Sequence, residues 1–181
     1  MRKRQLLATI MACVFAHPLF GEERKITMNQ SDTLIGILQT LVAKSTTSRK
    51  EMADILNVTF TSSGEGLYKS TSTSMFKSIS YWAPATAGEP THPGGSLRFY
   101  PMDANKVGHT LNPSRAEKIF GKPTIFPGQQ GTEWHDIDRY HYGVPCGVLI
   151  LGFKRISEQI FSLEVIEIGY LRVLADDRNL F

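Results

Sequence analysis

Apolar residues recur along this chain at two different spacings, and the order in which those spacings alternate restricts the fold more than any other feature. Leu34, Ile35, Ile37, Leu38, Leu41 and Val42 fall at helical intervals. They place one apolar stripe on a helix predicted over 32–44, with Asp32 as its N-cap. After the polar link Ser45-Thr46-Thr47, Ser48 and Glu51 stand at capping-box spacing, so each side chain can satisfy a free amide at a second helix start. Met52, Ile55 and Leu56 give that helix its buried face. From Gly66 the period changes. Residues 67–73 and 75–82 are rich in hydroxyl, β-branched and aromatic side chains and read as strands. A Pro/Gly-rich loop over 83–95 interrupts the pattern, and 96–100 resumes it.

The helical period returns once more. Asn112 is an N-cap, Pro113 takes the first helical position, where a missing amide costs nothing, and Ala116, Ile119 and Phe120 face inward. Gly121 suits the C-cap and Pro123 prevents continuation. Residues 132–142, 147–153, 160–168 and 170–174 then read as antiparallel strands, with turn or bulge signals at 154–158 and Gly169. Helices, strands, helix, strands imply an α+β fold with helices packed on an antiparallel sheet. The order also suggests two similar helix-then-meander halves, 32–100 and 112–174, within a single domain over 22–181.

Ahead of these elements lies a segment with a different purpose. Arg2, Lys3 and Arg4 precede an apolar run from Leu6 to Ala16, and no acid occurs before Glu22. A basic start followed by a short apolar core is the secretory pattern, so residues 1–21 are expected to be a signal peptide, cleaved after Ala16 or Gly21. The run is shorter than the ~20 residues a spanning helix needs. Cys13 follows the small Ala12, as a lipid-bearing cysteine would, but Ile10 and Met11 fit that signal poorly and the apolar run continues past it. The expected destination is the periplasm or the medium.

Removing the signal changes the charge. The full chain has 20 Lys and Arg against 17 Asp and Glu, and three of the bases are Arg2, Lys3 and Arg4. The remaining chain is formally neutral and carries no basic run after residue 25, which argues against nucleic acid as a partner. Cys146 is the one cysteine left, so no internal disulfide can staple the fold and a hydrophobic core must hold it. Its place just before the apolar run 147–151 reads as that of a buried, inert thiol.

No catalytic set assembles itself from the motifs. There is no Gly-x-Ser-x-Gly elbow, and Ser74-Met75-Phe76-Lys77 lies in a predicted strand without a Lys-Thr-Gly partner. Cys146 has His141 and Asp138 or Asp136 nearby in sequence, but Gly143 and Pro145 intervene and no helix start is offered to activate a thiol. The run from Trp134 to Tyr142 is rich in ligands for Zn or Fe. On a strand, however, His135 and His141 would share one face while Asp136 and Asp138 share the other. Neither a metal nor another cofactor is expected.

What stands out instead is aromatic residues beside loops. Tyr81 and Trp82 enter the 83–95 loop, which carries Glu89 and His92. Trp134, His135, Asp136, Tyr140 and Tyr142 follow a second loop over 126–131. Large rings with polar tips are common interface anchors, and long loops often carry function. These nine residues are the expected partner-binding set. The expected role is that of an exported, non-catalytic binding protein whose partner is another protein: an inhibitor or immunity protein acting on a secreted or injected enzyme. A small periplasmic hydrolase acting on cell-wall material, or an envelope assembly factor, is the alternative.

Overall fold

The structure is a computed structural model, and it describes residues 30–45, 47–83 and 95–171. The expected signal peptide with Cys13, the part of the first loop holding Glu89 and His92, and residues 172–174 lie outside the described residues.

Two helices, α1 (Gln30–Val42) and α2 (Arg49–Leu56), precede a meander of β1 (Thr61–Ser62), β2 (Leu67–Ser70), β3 (Phe76–Trp82) and β4 (Gly95–Pro101). Two more, α3 (Ala104–Thr110) and α4 (Pro113–Phe120), precede a second meander of β5 (Thr124–Phe126), β6 (Ile137–Val144), β7 (Gly147–Arg155) and β8 (Phe161–Leu171). The described strands form one eight-stranded sheet in the order β1-β2-β3-β4-β8-β7-β6-β5. Every pairing is antiparallel, and the meanders meet where β4 lies against β8. The fold is α+β.

The caps are the ones their residues demand. Ser48 Oγ accepts from the Glu51 amide at 3.1 Å, and α2 ends on Asn57 in the left-handed region at φ 53°. The Glu51 carboxylate bonds Lys44 and Thr47, and Lys44 above all holds its pKa below the ordinary 4.5. Asn112 Oδ1 accepts from the Arg115 amide at 2.9 Å, with Pro113 opening α4. Asp32 departs from its expected role. The helix already runs from Gln30, so Asp32 sits in the first turn, where a carboxylate favours the helix dipole, and it pairs with Arg115 at 3.1 Å.

Side-chain alternation decides which face of the sheet is buried. Tyr81, Leu97, Ile168, Leu149 and Tyr142 follow one another across the strands, and so do Ile79, Phe99, Ile166, Leu151 and Tyr140. All are buried, in one core cluster with Leu34, Leu38, Leu41, Met52, Val107 and Ala116 from the helices. Phe120 of α4 meets Tyr142 edge to face at 5.8 Å. Helix α3 approaches β8 so closely that a Cβ on Gly108 would stand 2.2 Å from the Phe161 carbonyl oxygen.

Several sequence expectations need correction. Helix α3 was not anticipated, because seven residues with a central Gly108 display no apolar stripe; Asp103 caps it through the Lys106 amide at 2.9 Å. Residues 132–136 are turns, not strand, and β6 begins at Ile137. Strand β8 runs on through Gly169, which pairs with Val148, to Leu171, so residues 160–168 and 170–174 are not two strands. Against β4 the register slips between Ile168 and Leu171, the bulge that Gly169 signalled. Two short strands were not expected: β1 fell where no element had been assigned, and β5 ends on Phe126, the first residue of the second loop.

Candidate functional site

The other face of the same strands carries a different set of side chains, and none of them belongs to the core cluster. Ser80, Arg98, Glu167, Ile150, His141 and Thr124 lie in register across β3, β4, β8, β7, β6 and β5. The next row holds Val165, Gly152, Arg139 and Phe126. Trp82 extends the face at the end of β3, where it is 38% exposed.

The loop between β5 and β6 folds back over this surface. Thr132 Oγ1 donates to the Gln129 carbonyl at 2.8 Å and accepts from the Trp134 amide at 3.1 Å. The Trp134 carbonyl accepts from the Ile137 amide at 3.1 Å, with Asp136 between them at φ 60°. Gly128 donates to Asp138 Oδ1 at 3.1 Å. These bonds lay the Trp134 ring over Gly152, where a Cβ would already meet Val165 Cγ1 at 2.5 Å and Ile137 Cγ2 at 3.0 Å. Gly152 thus leaves room for the Val165 and Ile137 side chains, with the Trp134 ring 3.5 Å from where its Cβ would stand.

The result is a stack of alternating rings and guanidinium groups. The Arg98 guanidinium carbon lies 5.7 Å from the Trp82 ring centre and 5.4 Å from that of Trp134. That of Arg139 lies 5.2 Å from Trp134 and 5.7 Å from Phe126. The order is thus Trp82, Arg98, Trp134, Arg139, Phe126, and the Phe126 ring centre lies 4.5 Å from that of His141. Such distances are within cation–π range. Arg98 is also bound to Glu167 at 2.8 Å and to Glu133 at 3.3 Å. Burial alone would lower the Arg98 pKa, but these two carboxylates, Glu167 foremost, raise it above the ordinary value.

Burial shifts several titratable groups on and near this sheet. Burial first, then the charge of Arg139, pulls the His141 pKa below 6.5. Burial pushes the Cys146 thiol up, which is opposite to what a thiolate nucleophile needs. Tyr142 is likewise raised, by burial and then by Tyr140 and Glu117. His135 Nδ1 contacts Asp136 Oδ2 at 3.1 Å, with both side chains more than half exposed. No three His, Cys, Asp or Glu side chains converge as a metal site among the described residues.

The residues singled out from sequence therefore separate. Trp82 and Trp134 join the stack, and His135 and Asp136 stand exposed in the turn beside Trp134. Tyr81, Tyr140 and Tyr142 do not reach this surface: alternation turns them to the helix side, where they are buried core. Tyr81 and Trp82 are neighbours in one strand, so one of them had to face each way. Glu89 and His92 lie outside the described residues. Arg98, Arg139, Glu167 and Phe126 were missed. The signal was present in β4, where Arg98 is the one charge among the apolar residues of Leu97-Arg98-Phe99-Tyr100.

Among the described residues no helix is long and apolar enough to cross a membrane. Comparison of the chain with family models, with curated proteins and with solved structures returned no match.

Proposed function

We propose that this chain is an exported, non-catalytic binding protein of the bacterial envelope, an inhibitor or immunity protein that blocks a secreted or injected enzyme. The observation that carries the reading is the stack of Trp82, Trp134 and Phe126 with Arg98 and Arg139 on the sheet face away from the helices. Trp and Arg are the side chains that most often dominate interface energetics. Here Trp82, Arg98 and Arg139 stand on paired strands and Trp134 in the turn before β6. They are ordered by one another and by Glu167, so little side-chain freedom is lost when a partner arrives. Trp82 and Phe126 are 38% and 41% exposed, leaving ring surface for contact. The action is steric. The face and the turn carrying Trp134 and His135 cover the partner's cleft, and no chemistry on the partner is required.

The test is capture of a partner by residues 22–181 from envelope and secreted fractions, followed by titration of that partner's activity. An enzyme whose activity falls at one-to-one stoichiometry supports the reading. Trp82→Ala with Trp134→Ala should weaken its binding by about thirtyfold or more, the size expected for paired anchor residues. Undiminished affinity of the double variant would remove this face from the account.

A further inference from the structure

Arg98 and Arg139 occupy equivalent places in the stack, each between two aromatic rings, yet they differ in charge compensation. Arg98 has two carboxylates, Glu167 and Glu133. Arg139 forms no ion pair with any described residue, and its buried Nε has no acceptor. Among the described residues the surroundings supply none. Across the strands Arg139 faces Gly152, which has no side chain, and Phe126. Asp138 projects to the opposite side of β6 and takes the Gly128 amide, while Asp136 turns to His135. His141, two residues along the same face, has a buried Nε2 that is also without a partner.

We propose that Arg139 is a carboxylate-recognition site, its guanidinium held between Trp134 and Phe126 so that its two Nη groups receive an acidic group of the protein partner. The inference rests on the binding-face reading and names the chemistry of its central contact. A planar, singly charged carboxylate matches one planar guanidinium, through two parallel hydrogen bonds. A phosphate carries more charge than this one cation balances, and burial, then the charge of Arg139, disfavours a second positive charge on neighbouring His141. The flanking rings exclude water from the pair, which strengthens it.

The test does not need the natural partner. Labelled protein is titrated with a capped tripeptide, acetyl-Gly-Glu-Gly-amide, while the Arg139 Nε–H and Trp134 indole resonances are followed. The matched Gln peptide and inorganic phosphate serve as comparisons, and a Gly-Gln-Gly peptide with a free C-terminus separates a terminal carboxylate from a side-chain one. The expected result is a saturable shift below about 20 mM for a carboxylate peptide and none for the capped Gln peptide. It should be lost in Arg139→Gln and weakened about tenfold in Arg139→Lys, which keeps the charge but not the fork. A shift that persists in Arg139→Gln, no shift at all, or a tighter response to phosphate overturns the proposal; should Arg139→Gln fail to fold, Arg139→Lys decides alone. With a captured partner the two readings separate. Affinity lost in the tryptophan double variant but unchanged in Arg139→Gln sinks the carboxylate site and leaves the binding face standing.

Discussion

Arg98 and Glu167 face each other across the β4–β8 junction, with Nη2 and Nε at 2.8 and 2.9 Å from one carboxylate oxygen, Oε2. Their side chains are only 20% and 16% exposed, so the pair sits largely out of water beneath Trp82 and Trp134. It joins the two meanders on the face away from the helices and anchors the turn holding Glu133.

Removing one partner should therefore hurt more than removing both. Arg98→Ala leaves Glu167 partly buried and uncompensated and is expected to cost about 2 kcal/mol in urea unfolding. Arg98→Ala with Glu167→Ala should cost less than the sum of the single changes. Arg98→Lys restores only part, because a lysine loses the fork and the planar stacking. An Arg98→Lys protein as stable as the original would show that charge alone suffices.

The helix face offers a contrast between two glycines. At Gly108 a Cβ would run into the Phe161 backbone at 2.2 Å, so Gly108→Ala must push α3 off β8 and is expected to cost about 3 kcal/mol. At Gly36, exposed on α1, a Cβ meets nothing within 4 Å, and Gly36→Ala should stabilise by about 0.5–1 kcal/mol. Denaturant midpoints with unchanged slopes would separate the two. Similar responses at both sites would contradict the packing described for α3.

Stability should fall on acidification in a way that His141 controls. Its pKa is below 6.5 in the folded chain, so between that lower value and 6.5 the unfolded chain binds more protons. The contribution is complete above 6.5 and is lost as pH falls through the depressed folded value. Urea midpoints measured from about pH 8 down to about pH 5 should drop less steeply for His141→Gln than for the original chain. Parallel profiles would mean that His141 stays as protonated when folded as when unfolded.

Cys146 should resist modification until the chain unfolds. It is fully buried and its thiol is pushed above the ordinary 9.0 by that burial. Alkylation near neutral pH is expected to be slow in native conditions and rapid in concentrated urea. Rapid labelling of the native protein would place the thiol at the surface, against the core packing.

Much of the fold was legible before any coordinates. Helical spacing in 34–42, the Ser48 and Asn112 caps with Pro113, and the aromatic, β-branched composition of β3, β7 and β8 are local properties, and each element formed near its expected place. Elements without local signal were missed. Helix α3 has too few turns to repeat an apolar spacing, and the three-residue β5 is a strand only because β6 pairs with it.

The site was legible only in part, for the same reason. Trp82 and Trp134 could be named as anchors from their type and their loops, but Tyr81, Tyr140 and Tyr142 could not be assigned to the other face without strand boundaries. A strand that begins at Ile137 rather than 132 decides which residues of 134–142 share a face with Arg139. The sequence by itself determined the class of the fold, its caps and its buried apolar stripes, because backbone propensity and side-chain period act within a few residues. Only the tertiary structure decided that Arg98, from one meander, and Arg139, from the other, enter a single stack around Trp134. That contact depends on β4 pairing with β8 and on the β5–β6 turn laying Trp134 over the sheet, and both relationships join residues far apart in the chain.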